Sequence, residues 1–281
     1  MSERLTRFAS EGLVFDVGDD GPLDGPVVVA LHGFPQTSAC WSRVTPALVE
    51  AGYRVLAPDQ RGYSPGARPQ DVRAYAMRSL CADVLALADT AGVERFHVLG
   101  HDWGASVGWV LAGRHPERVG TLSAVSVPHP AALARAFAGA QALRSWYVGM
   151  FHVPGLAERL FAARDGALVR RMFRASGMAD TKPSVGLLTD RPTATATLNW
   201  YRALRLRGGL RAGRIDVPTL YVWSDGDAAL GRRAAEATAD FVRGPYRFEV
   251  LAGVSHWVPE ERPAELAALV LEHLATHPLD G

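Results

Sequence analysis

Short apolar runs punctuate the chain, and each ends at a glycine, a proline or a polar turn. Val27 to Leu31 is apolar at every position and stops at His32-Gly33. Arg54-Val55-Leu56-Ala57 stops at Pro58, Phe96-His97-Val98-Leu99 at Gly100, and Leu122 to Val127 at Pro128. Thr219 to Trp223 and Phe248 to Leu251 repeat the pattern late in the chain. Runs without a polar face suit parallel strands covered by helices on both sides. Between them the period lengthens: Leu80, Val84, Leu87 and Ala91 share one helical face, and Gly92 stands where that helix would stop. A last helix is expected from Pro263, a favourable first helical position, burying Leu266, Leu269 and Val270. Strand and helix in alternation predict an α/β fold with a mostly parallel, doubly wound sheet.

From about residue 131 to 211 the strand signal vanishes. The stretch is rich in Ala, Leu and Arg and carries Trp146, Tyr147, Phe151, Phe161, Met172, Phe173, Trp200 and Tyr201. The expected organisation is a core of residues 1–130 and 212–281, with a helical insertion, 131–211, between two strands of one sheet. A bundle beside the domain would satisfy the pattern. A cap over the C-terminal edge of the strands satisfies it too, and open α/β sheets bind ligands at that edge.

Composition narrows the classes. Of 281 residues, 48% are hydrophobic and 21% charged, which excludes a disordered chain. Thirty basic against 29 acidic residues leave a net charge of +1, without the basic excess of a nucleic-acid binder. Cys40 and Cys81 are too few for a disulfide framework or a cysteine-rich metal site. The opening MSERLTRFASEGLVFDV lacks the apolar segment of a secretory signal, and no apolar run reaches the ~18 residues of a membrane span. The expectation is a cytoplasmic protein with neither nucleic acid nor membrane as partner.

Candidate chemistry begins at Gly100-His101-Asp102-Trp103-Gly104-Ala105, which follows a strand directly and opens a helix-like stretch to Arg114. Small residues flanking a central side chain at such a junction permit a sharp turn that exposes it at the strand's end. An aspartate there also suits a plain helix cap. A literal G-x-S-x-G at Gly62-Tyr63-Ser64-Pro65-Gly66 lacks this context: Ser64 lies well beyond its strand, and Pro65-Gly66 stands where a helix should begin. It reads as a loop. After the first parallel strand, His32-Gly33-Phe34-Pro35 places backbone N–H groups where, with that of Trp103, they would face a developing negative charge.

Trp223-Ser224-Asp225-Gly226-Asp227 ends one late strand and Ser255-His256-Trp257 follows the next. Asp102, Asp227 and His256 then run in the chain order nucleophile, acid, histidine. Asp225 is the rival acid. No acidic residue directly follows the Leu122–Val127 run. His32, His97 and His101 suit turns or packing, and His115, His273 and His277 suit helix ends or the terminus.

With these residues in view the chain resembles the α/β-hydrolase superfamily, and within it the epoxide hydrolases of the soluble type, with haloalkane dehalogenases as near relatives. HGFP at 32–35, PDQRGYS at 58–64, GHDWGA at 100–105 and SHW at 255–257 carry the resemblance. Such epoxide hydrolases set two tyrosines over the nucleophile. Tyr147, in the segment running to Phe151-His152-Val153-Pro154-Gly155, and Tyr201, in Asn199-Trp200-Tyr201-Arg202, match those positions, although His152 stands where the family often has glutamine. Packing of the insertion would also account for both rings.

The resemblance implies an α/β-hydrolase fold whose Asp102 attacks a small apolar epoxide. An aspartate is ionised at neutral pH and can alkylate itself on an sp³ carbon without a base, leaving an ester that water can cleave. Tyr147 and Tyr201 would protonate the opened oxygen. His256, oriented by Asp227, would activate water, and the N–H groups of Phe34 and Trp103 would hold the oxyanion. Trp146, Met150, Phe151, Trp200 and Trp257 would line an apolar or aromatic pocket, and no metal or organic cofactor is implied. A dehalogenase would instead use the Trp103 indole with Trp146 or Trp200 to hold a halide. A ligand-binding protein or biosynthetic cyclase on the same scaffold is the third reading.

Overall fold

The computed structural model describes residues 3–136, 146–206 and 210–279, without the side chains of Trp146 and Tyr147. Eight strands form one sheet: β1 (Arg7–Ser10), β2 (Leu13–Asp20), β3 (Val27–Leu31), β4 (Arg54–Pro58), β5 (Phe96–His101), β6 (Val119–Val125), β7 (Thr219–Ser224) and β8 (Tyr246–Leu251). Their spatial order is β1-β2-β4-β3-β5-β6-β7-β8. β1 pairs antiparallel with β2, and β2 with β4. The remaining pairs are parallel.

Each apolar run falls on a strand, β3 with the same ends and the others with shifted ones. β6 starts at Val119, ahead of the apolar run, because that end of it still pairs with Phe96. It ends before Ser126, whose φ of +67° turns the chain out of the sheet. The β1–β2 hairpin lies ahead of the first apolar run. Its signal is period-two burial at Phe15 and Val17, after an Glu11-Gly12 turn whose φ values are both positive, +48° and +78°.

Alternation along the strands divides the core in two. Val27, Val29 and Leu31 face α2 (Met77–Thr90) and α3 (Trp103–Arg114). Val28 and Ala30 face α1 (Thr45–Glu50) and the Pro263–Thr276 helix, which buries Leu266 and Val270 and half-buries Leu269. At the antiparallel edge, Arg54 forms a bidentate pair with Asp19 (2.9 and 2.7 Å), both side chains fully enclosed.

After β6, α4 (Pro130–Ala136) is followed by helices at Trp146–Phe151, Leu156–Ala162, Ala167–Ala175, Lys182–Thr189 and Arg191–Ala203. The carboxylate of Asp190 caps the last of these through the Thr193 N–H. Arg202 ties three of them together: its guanidinium donates to the Phe151 carbonyl (3.0 Å) and to Glu158 (2.8 Å). No described helix is long and apolar enough to cross a membrane. The strand order reverses at β3, with β4 on one side and β5 on the other. Loops leaving β3 and β5 therefore diverge and open a crevice at the strands' C-terminal ends.

Candidate active site

Asp102 stands in that crevice, between the end of β5 and the start of α3, with φ +52° and ψ −118°. A non-glycine residue held there costs about 1–3 kcal/mol and persists only when its surroundings fix it. Close approaches supply that constraint. A Cβ on Gly104 would lie 2.0 Å from the Leu31 carbonyl oxygen, and one on Gly100 would lie 2.4 Å from the Gly104 carbonyl oxygen. A Cβ on Gly33 would meet the Asp102 Cβ at 2.3 Å. The three glycines let β3, β5 and α3 close around the turn.

One carboxylate oxygen of Asp102, Oδ1, accepts the Phe34 N–H at 2.8 Å. The other, Oδ2, lies 3.4 Å from His256 Nε2. Burial opposes ionisation of Asp102, but the hydrogen bond and charge of His256, with the Phe34 N–H, hold the carboxyl below its ordinary range. Trp103 begins α3, so its N–H belongs to the first-turn groups that have no acceptor within the helix.

On its far side, the His256 ring meets Asp227: Nδ1 and Oδ2 are 2.7 Å apart. Asp227 Oδ1 accepts the N–H groups of Ala229 (2.7 Å) and Leu230 (2.9 Å), which fixes the carboxylate plane. Asp225 is exposed and accepts the Gly253 N–H at 2.7 Å, so its carboxylate serves the loop. Burial disfavours the charged imidazole, yet the charges and hydrogen bonds of Asp227 and Asp102 outweigh it and raise His256 from 6.5 to about 10. His256 is therefore an imidazolium between two carboxylates at neutral pH.

Two residues outside the expected set hold this histidine. The His256 carbonyl accepts His101 Nε2–H and the Ser126 hydroxyl, both at 2.9 Å. A carbonyl can only accept, so the His101 proton sits on Nε2. Burial and the neighbouring charge of His256 push His101 down to about 4, which keeps it neutral. His101 lies inside the GHDWGA motif, where the sequence suggests only a turn or packing role. The role of Ser126 depends on a positive φ that no residue type announces.

Aromatic rings enclose the crevice. Tyr201 stands edge-on to Trp103, Phe34 and Phe151, with centroids 5.0, 5.2 and 4.9 Å away. Phe34 also packs on Phe173, and Phe173 on Trp257, whose ring is 5.1 Å from that of His256. Met150 is half-buried against the same cluster. Trp257 donates its indole N–H to Ser176 Oγ (3.1 Å) and Trp200 to the Arg61 carbonyl (2.7 Å). The indole N–H of Trp200 is thus already engaged by the core. Trp146 and Tyr147 lie on the helix that packs against the Tyr201 helix, but their side chains are outside the described residues.

Ser64 is part of a loop, as its context suggested: its hydroxyl donates to the Asp59 carbonyl and accepts the Asp16 N–H. His152 bonds back to the Val148 carbonyl of its own helix. Among the described residues, no three His, Cys, Asp or Glu side chains gather as a metal site would require.

This strained turn and its carboxylate–imidazolium–carboxylate line, set at the switch point of the sheet, define a class. Residues 26–263 match the family model for the alpha/beta hydrolase fold, and the chain belongs to that family. It is 34% identical to epoxide hydrolase A of Mycobacterium tuberculosis, over 97% of each chain. It is also 34% identical to the AB hydrolase superfamily protein YfhM of Bacillus subtilis, over 94% of this chain and 96% of that one. Among solved structures, epoxide hydrolase A from Mycobacterium thermoresistibile matches with a TM-score of 0.81 at 31% identity, over 98% of both chains. Within the family, the chain stands among the epoxide hydrolases.

Proposed function

We propose that this chain opens apolar epoxides to vicinal diols through an ester on Asp102, with residues 131–211 serving as the cap over the crevice. The supporting observation is the Asp102 carboxylate itself. It is ionised, held at a strand's end by the Phe34 N–H, and backed by a histidine that a second carboxylate orients.

In the first step Asp102 attacks a ring carbon and the carbon–oxygen bond of the epoxide breaks. The freed oxygen takes a proton from the phenol of Tyr201 or Tyr147. The proton of the His256 imidazolium then restores that phenol, because the ester no longer carries the charge that held it. Neutral His256 next removes a proton from water, and hydroxide adds to the ester carbonyl. The N–H groups of Phe34 and Trp103 hold the oxyanion. Collapse releases the diol, the carboxyl proton goes to the departing oxygen, and Asp102 and His256 return to their charged forms. The aromatic enclosure of Phe34, Phe151, Trp103 and Tyr201 favours an apolar or aromatic substrate.

Isotope labelling tests this course. With enzyme in excess over styrene oxide in ¹⁸O-water, the first-turnover diol should carry no label, and the label should appear in the peptide containing Asp102. A labelled first-turnover diol would mean direct attack by water and would overturn the ester route.

A further inference from the structure

We infer that two copies of this chain pair through the free edge of β8, antiparallel and centred on Phe248, so that one sheet continues through both. The pairing is independent of the epoxide chemistry above. β8 ends the sheet, and among the described residues it pairs only with β7. An open edge of this kind is a template for another strand, and proteins blunt it with short strands, proline, lysine or a covering element. The opposite edge is blunted: β1 has four residues and lies against α2. β8 has six, Tyr246-Arg247-Phe248-Glu249-Val250-Leu251, with neither proline nor lysine.

Backbone direction and side-chain charge both select this partner and register. The carbonyls of Pro245 and Leu251 accept the N–H groups of Thr219 and Asp225, at 2.8 and 3.2 Å. Backbone groups alternate in direction along a strand, so those of Arg247 and Glu249 also face β7, while those of Tyr246, Phe248 and Val250 point away from the sheet. A second β8 laid antiparallel, Phe248 opposite Phe248, satisfies all three. Phe248 exchanges two hydrogen bonds with its counterpart, and Tyr246 exchanges two with Val250 at each end. Arg247 then falls opposite Glu249 of the second copy, where antiparallel side chains stand closest. Within one chain the Arg247 guanidinium meets Glu249 through Nε (2.6 Å) and Glu272 through Nη1 (2.7 Å), which orients it and leaves Nη2 outside both contacts, available to the second copy's carboxylate. On the other face Phe248, stacked on Tyr221 at 5.3 Å, meets its own counterpart, and Val250, 37% exposed, is covered by Tyr246. Centring the pair on Arg247 or on Glu249, or running the strands parallel in register, would set like charges opposite each other. Because the two strands run in opposite directions, the crevices at their C-terminal ends point apart.

Sedimentation equilibrium of the full chain from about 1 to 500 µM should show the passage from one chain mass to two. Hydrogen exchange should slow about tenfold at the amides of Tyr246, Phe248 and Val250 as the dimer forms, and stay unchanged at Arg247 and Glu249, whose N–H groups are already bound to β7. Arg247→Glu and Glu249→Arg should each weaken association about tenfold or more, since each sets like charges opposite. Mixed in equal amounts, the two variants should pair as tightly as the unaltered chain, because every charge then meets its opposite. Val250→Pro removes an outward N–H, spares the β7 ladder and should abolish pairing with turnover unchanged. A chain that stays single at the highest concentration overturns the inference. So does a dimer that leaves the three outward amides unprotected or survives Val250→Pro. Single variants that keep turnover yet fail to pair when mixed overturn the antiparallel register. The exchange measurement needs no variant, so it decides the matter even where a substitution fails to fold.

Discussion

Alkylation of Asp102 should change the acidity of His256, and this coupling is what lets one histidine serve a site that rests in its protonated form. In the resting protein Nε2 is 3.4 Å from Asp102 and Nδ1 is 2.7 Å from Asp227, and the two carboxylates raise the imidazole to about 10. Esterification removes the Asp102 charge and leaves Asp227 in place. An opposite charge at this range is worth about 1–3 pKa units, or about 1.4–4 kcal/mol at 1.36 kcal/mol per unit. His256 in the ester should titrate lower than in the resting protein by that amount. The assay follows ester breakdown by rapid quench across pH, beside a titration of His256 in the free protein by proton–nitrogen NMR. Breakdown should rise with pH and level off about 1–3 units below the resting titration. If the two midpoints coincide, Asp102 contributes nothing to the histidine's charge, and the proposed exchange of roles is wrong.

Tyr201→Phe should slow ester formation from epoxides about a hundredfold while ester breakdown stays near the unaltered rate, which rapid quench resolves. Gly104→Ala drives a Cβ to 2.0 Å from the Leu31 carbonyl oxygen and should cost about 3 kcal/mol or more, read by denaturant unfolding. Asp19→Ala leaves the guanidinium of Arg54 enclosed without its partner and should cost about 3–5 kcal/mol by the same assay. Folding raises His256 from 6.5 to about 10, so its ion pairs support the fold fully below about pH 6.5, and that support is lost as pH climbs through about 10. Unfolding free energies across that window should show the loss, and Asp227→Asn should flatten it.

Local rules made much of this molecule legible from the chain. β3 runs from Val27 to Leu31 as its unbroken apolar run indicates, because a strand covered on both faces has no polar positions to blur its ends. β1 and β2 escaped for the opposite reason: they form an antiparallel edge with one face in water, and Asp16 and Asp19 interrupt the apolar pattern. The turn at Asp102 could be read because close packing there allows only small neighbours, which leaves Gly100 and Gly104 in the sequence as a record of the contact. The neighbours of Asp227 left no such record. Asp225 and Asp227 are two residues apart on one loop, and only the folded chain aims the second at His256 and the first at the Gly253 N–H.

The tryptophans carry the argument one step further. On the sequence, Trp103 with Trp146 or Trp200 could hold a halide, and Trp146, Trp200 and Trp257 could line a pocket; the Trp146 side chain lies outside the described residues. Their indole N–H groups separate them: that of Trp200 is bound to the Arg61 carbonyl and that of Trp257 to Ser176, so both rings act as fixed walls. Arg61 is itself held by Asp83 and Glu11, which makes the Trp200 wall an extension of the core. A rigid wall of this kind cannot follow a departing halide, whereas the Tyr201 ring packs on Phe34, whose N–H meets the Asp102 carboxylate, and on Trp103, the residue after Asp102. That placement of a phenol supports the proposed protonation of an oxygen leaving group as its bond breaks.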